Sequence, residues 1–137
     1  MPQAKFKTKG LLLVGIIADE TTVTGFLLTG MGERTKEGKK NYFIVDKDVT
    51  DEDIARDLKE LLNRTDIGVI FVSQTVAARV PHVINEHEAI IPTILEIPAK
   101  EAPYDPEKDA IVVKAAAILW GSDTGKERLQ QLAKGGQ

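Results

Sequence analysis

The chain contains no cysteine, so it can form neither a disulfide framework, a thiolate zinc ribbon nor a thiol nucleophile. Hydrophobic residues make up 42% of the chain and aromatic residues only 5%, which leaves a core built from Val, Ile and Leu rather than from rings. A basic excess is also lacking. Eighteen Lys and Arg against 21 Asp and Glu give a formal net charge of −3, and this argues against a general nucleic-acid binder. The longest apolar run, Leu11 to Ala18, spans eight residues, where a membrane-crossing helix needs roughly 20. That run follows Lys5, Lys7 and Lys9 abruptly and lacks a small-residue cleavage site, so it does not read as a signal peptide.

At 137 residues there is room for one ordinary core plus tails. The runs Leu11 to Ile17 and Ile67 to Val72 are short, continuous and rich in β-branched residues, as expected of parallel strands covered on both faces. Tyr42 to Val45 and Thr93 to Ile97 read as shorter strands, the second bounded by Pro92 and Pro98 as suits an edge. Between the first two, Thr22 is expected to cap a helix carrying Val23, Phe26 and Leu27 and ending near Gly30-Met31-Gly32. Thr50 with Asp53 spells a capping box ahead of Ile54, Leu58, Leu61 and Leu62. Ser73 can open a third helix, which Pro81 should kink or split before Val83 and Ile84.

This βαβαβαβ alternation predicts an α/β fold: a small flavodoxin-like (Rossmann-like) four-stranded parallel sheet with helices on both faces, plus a C-terminal helix. The expected division is a core over residues 1–99, a Pro- and charge-rich linker over 100–108, a partner-binding helix over 109–120 and a flexible tail over 121–137. In that helix Ile111, Ala115 and Ile118 fall at i, i+4 and i+7, with Val112, Ala116 and Leu119 beside them. The linker can carry it away from the sheet, so docking on a partner and packing on its own domain both stay open. Gly121 and Gly125 weaken helix propensity by about 1 kcal/mol each relative to Ala, leaving either a frayed tail or a short separate helix around Leu129 and Leu132.

Several chemistries fail on their own spacing. Gly25 to Gly30 has the glycine spacing of a phosphate-binding loop, but Met31 and Gly32 stand where Lys and Ser or Thr are needed. Gly121 to Lys126 is one residue too short. Asp19-Glu20 ends the first strand, where parallel sheets place ligand and metal sites, and suggests a receiver-like acidic pair. No phospho-accepting Asp follows the third strand, which continues into Ser73-Gln74. Acids favoured at a helix start explain the pair more simply, with a weak cation site as the residual alternative. His82 and His87 lie five apart, about 140° around a helix, and so face different ways. Ser73 sits in Val-Ser-Gln rather than in a nucleophile elbow. No catalytic, metal or cofactor-binding residue is expected.

Three blocks resemble a known family: Ile17-Ala18-Asp19-Glu20-Thr21-Thr22-Val23-Thr24-Gly25-Phe26-Leu27-Leu28, Asn63-Arg64-Thr65-Asp66-Ile67-Gly68, and Ile94-Leu95-Glu96-Ile97-Pro98 running on to Pro103-Tyr104-Asp105-Pro106-Glu107-Lys108-Asp109. They are similar to the F subunits of eukaryotic V-type proton ATPases, over roughly Gly10 to Trp120. The resemblance implies a non-catalytic rotor component whose C-terminal helix lies along the coiled coil of the D subunit. That axle turns inside the A/B ring, beside other stalk subunits, on the cytoplasmic face of vacuolar and other endomembranes. It further implies a part in regulating ATPase activity, and a partner interface on Ile111, Val112, Ala115, Ile118, Leu119 and Trp120. Pro81, the alanine-rich Ala115 to Ala117 and the extension after Gly121 depart from the family pattern. A degenerate receiver-like interaction module is the alternative.

Overall fold

The computed structural model describes residues 12–32 and 34–135. The strand start expected at Leu11 and the last two residues of the expected tail lie outside them. In chain order the elements are β1 (Leu13–Ala18), α1 (Glu20–Leu28), β2 (Tyr42–Ile44), α2 (Asp51–Leu62), β3 (Ile67–Ser73), α3 (Gln74–Ala77), α4 (Pro81–Glu86), β4 (Thr93–Ile97), α5 (Ala110–Trp120) and α6 (Ser122–Gly135).

The four strands form one sheet of order β2-β1-β3-β4, with every pairing parallel. The longest apolar runs therefore occupy the centre, and the proline-bounded β4 lies at an edge as its flanks predict. The register aligns Ile17, Val72 and Glu96 on one level and Ile16, Phe71 and Leu95 on the next. Successive residues of a strand point to opposite faces, so the two levels serve opposite sides of the sheet. On one side Ile17, Ile70, Val72 and Ile94 pack with Ile54, Leu58 and Leu61 of α2 and with Val83 and Ile84 of α4. On the other, Ile16, Ala18 and Val23 pack with Phe26 and Phe71, whose rings stack 5.5 Å apart.

Local sequence accounts for most element ends. Thr50 and Asp53 form the reciprocal capping box of α2. Pro81 takes the first helical position of α4, where its missing N–H costs nothing, and so divides α3 from α4. The start of α1 differs from expectation, because Asp19 rather than Thr22 is the cap. Asp19 holds an extended backbone, and its carboxylate accepts from the Thr22 N–H at 3.1 Å and the Thr22 hydroxyl at 2.6 Å. Ser73 does precede α3, but its side chain makes no capping bond.

Candidate partner-binding arm

Beyond β4 the chain stays fastened to the sheet. Glu96, on the inward level of β4, is only 7% exposed and lies 3.3 Å from Nε2 of Gln74. The same Gln74 amide donates to the Asp105 carbonyl at 2.6 Å and accepts the Asp105 N–H at 2.7 Å, gripping one residue's backbone with both its ends. Tyr104 donates its hydroxyl to Asp109, and Asp109 accepts the N–H groups of Ile111 and Val112, so it is the N-cap of α5. Prolines 103 and 106 do keep residues 100–108 out of helix and strand, apart from the Ala99–Ala102 bridge. The part near Tyr104 and Asp105 is nonetheless ordered by contacts 31 residues distant in sequence.

This cluster concentrates acid. Burial, then the charge of Asp109, pushes the Glu96 carboxyl above its ordinary value of 4.5, while the Gln74 amide and the Ala110 N–H pull the other way. Burial, with the bond to Asp109 next, raises the Tyr104 phenol and keeps it a donor.

The helix launched by Asp109 carries one charged residue, Lys114, whose Nζ reaches the Asn85 carbonyl of α4 at 3.0 Å. Ala110 packs on the main core and Ala116 is buried. Of the residues expected at the interface, Ile111 is 40%, Ile118 85% and Leu119 69% exposed, and Ala115 is exposed beside them. Val112 is half-buried and lines, with Ile111, Leu95 and Pro98, a groove of about 420 Å³ along the β4 edge. Ile111, Ala115, Ile118 and Leu119 form one outward stripe, with Val112 at its margin. Trp120 does not join it. Two residues from Ile118, it lies about 200° round the helix, under the Arg128 guanidinium at 5.4 Å.

Arg128 belongs to α6, which occupies the stretch where a flexible tail is expected. Gly121 makes the reversal at φ 83°, a backbone region that side chains with a Cβ rarely adopt. Gly125 then seats against α5 so closely that a Cβ would lie 2.8 Å from the Ala116 carbonyl oxygen. Leu129 is buried beside Val113. The glycine that lowers helix propensity is thus the residue that permits the contact. Gly125 and Leu129 are the only buried residues among the 14 of α6. α6 is therefore held on α5 through few buried side chains.

The sheet's carboxyl edge offers less. A cleft of about 450 Å³ there is lined by Asp19, Glu20, Asp46, Lys47, Arg79 and Lys100 among others. Arg79 is already committed to Asp51 at 2.6 Å and to the Val49 carbonyl at 2.7 Å. Burial pushes the Asp19 carboxyl up, but bonds from Thr21 and Thr22 outweigh it and bring the group down to about 2. Asp19→Ala is expected to cost about 1 kcal/mol of stability in urea melts. A carboxyl lowered on folding stabilises above its unfolded value of 3.8, so the difference from the wild type should vanish as pH falls through about 2. His82 is exposed and His87 lies against the Pro92 carbonyl, and no group of three metal-binding side chains occurs among the described residues. The glycine pair at 25 and 30 spans the second half of α1 and the turn after it, so Gly25 is helix interior rather than phosphate loop.

Comparison with known proteins decides the family. The family described as ATP synthase (F/14-kDa) subunit matches residues 14–114. The chain belongs to that family. The V-type proton ATPase F subunit of Homo sapiens is 44% identical over 111 residues, covering 81% of this chain and 93% of that protein. The F subunit of Dictyostelium discoideum is 42% identical over 111 residues, covering 81% and 92%. Among solved structures, the F subunit of the V-type ATP synthase from Archaeoglobus fulgidus superposes with a TM-score of 0.45 at 19% identity, over 64% of this chain and 99% of that one. The F/14-kDa match takes in Gln74, Glu96, Tyr104 and Asp109 and stops at Lys114, inside α5, so α6 lies beyond it.

Sequence reasoning missed the Gln74–Glu96–Asp109 cluster as a site, although one signal was present. Strand alternation puts Glu96 on the face of Ile94, which makes a buried acid in an apolar strand.

Proposed function

We propose that this chain is a non-catalytic central-stalk component of a V-type proton ATPase, attached through α5 to the coiled coil of the D subunit. In this role it helps to couple ATP hydrolysis in the A/B ring to rotation and proton transport, touches other stalk subunits and contributes to regulation of the ATPase. Its place is peripheral, on the cytoplasmic face of vacuolar and other acidifying endomembranes. No described helix is long and apolar enough to cross a membrane. The observation that carries the reading is the outward stripe of Ile111, Ala115, Ile118 and Leu119 on a helix that the core fastens at its first turn. Each large side chain of that stripe contributes about 1.5–3 kcal/mol when a partner covers it, before ordering costs.

Affinity capture from native cells tests this with the tagged full chain and Ile118→Asp. Ile118 is 85% exposed, so the variant should keep its circular dichroism spectrum and melting temperature. The wild type should recover the A, B and D subunits with ATPase activity, and the variant should lose them. Failure of the wild type to recover any of these proteins would sink the assignment.

A further inference from the structure

A helix that is apolar all round needs cover on every side. α5 is such a helix, with Lys114 its one charged residue. The core covers the side of Ala110 and Lys114, and the stripe of Ile111, Ala115, Ile118 and Leu119 stands open. The third side, formed by Val113, Ala116 and Trp120, is taken by α6. Two features separate α6 from a permanent part of the core. It lies past the matched stretch, which ends at residue 114, and although it runs along α5 only Gly125 and Leu129 of its 14 residues are buried.

We propose that α6 is a displaceable cover, an intramolecular helix that occupies the Val113, Ala116 and Trp120 face of α5 in the free chain and yields it to the stalk on assembly. The inference rests on the docking reading above and adds to it. A two-stranded partner presents two helices, one for the open stripe and a second that meets α6 already in place. The apparent affinity is then the intrinsic affinity reduced by the fraction of chains in which α6 is lifted. α6 thereby sets how readily the arm enters the rotor.

Two full-length variants test this against the purified D subunit in a titration, beside the wild type and Ile118→Asp. Gly125→Leu puts a side chain against the Ala116 carbonyl and should lift α6. Val113→Cys with Leu129→Cys places the only two thiols of the chain on one small cavity between the helices, and their disulfide, verified by loss of free thiol, locks α6 down until it is reduced. The expected result is binding about tenfold tighter for Gly125→Leu than for the wild type, and about tenfold weaker for the oxidised pair than for the same protein reduced. Unchanged affinity in both, with binding still abolished by Ile118→Asp, would overturn the cover and leave the docking reading intact. Weaker binding by Gly125→Leu would overturn it too, since α6 would then be part of the docking surface. Binding by none of the forms would overturn the docking reading and the displacement with it.

Discussion

Asp109→Ala should loosen the whole arm while leaving the sheet folded. The substitution deprives the Ile111 and Val112 N–H groups and the Tyr104 hydroxyl of their acceptor at a residue that is only 4% exposed. Loss of an N-cap of this kind costs about 0.5–2 kcal/mol, and a bond to a charged acceptor is worth about 1.5–3, part of which is returned because Glu96 no longer faces a second carboxylate. A net loss of about 2 kcal/mol is expected, falling on α5 and α6 rather than on β1 and β3. Native-state amide exchange should show it as early opening of residues 110–135 against an unchanged core. Asn at the same position is a good cap and should restore most of the loss. Equal exchange in Asp109→Ala and the wild type would show that α5 is held by its apolar contacts alone. The pH dependence separates charge from capping. A carboxyl raised on folding binds its proton more readily folded than unfolded, so Glu96 lowers stability progressively as pH rises above its ordinary value of 4.5. Removing Asp109 removes one cause of that rise and should shrink the pH-dependent loss.

Leu58→Ala should destabilise the domain itself. Leu58 is fully buried in the cluster of Ile54, Leu61, Ile70 and Val72, so truncation leaves a cavity among side chains fixed by both α2 and the sheet. Large-to-small changes of this kind cost about 2–5 kcal/mol, a sizeable share of the roughly 5–15 that holds a domain together. A fall in melting temperature of roughly 10 °C is expected, with a shifted urea midpoint. Leu28→Ala is the control, since Leu28 is 85% exposed and its loss should change stability by no more than about 0.5 kcal/mol. Similar effects at both positions would mean that α2 does not pack on the sheet as described.

The sheet was legible because its signals are local. Four apolar runs bounded by turn residues correspond to four strands, and Thr50 with Asp53 announces α2 just ahead of its first core side chain. Asp19, Glu20, Thr21 and Thr22 posed a harder problem, since three of the four suit a helix cap and only the extended backbone of Asp19 separates them. The arm was legible in part. Its apolar spacing singled out Ile111, Ala115 and Ile118, but not that Trp120 would turn away to meet Arg128. α6 was obscured because Gly125 counts against a helix when neighbours are ignored, and becomes a requirement once Ala116 lies against it. The clasp of Gln74 on Asp105 joins positions too far apart for any short-range pattern to link them.

That clasp has a mechanical consequence. A side-chain amide closed on both the N–H and the carbonyl of one residue resists pulling along the chain and twisting about it, as one hydrogen bond does not. Gln74 itself sits directly after β3, a central strand of the sheet. A load on α5 would therefore reach the middle of the domain through a short strut rather than through a slack connector, with the arm and the sheet moving as one body.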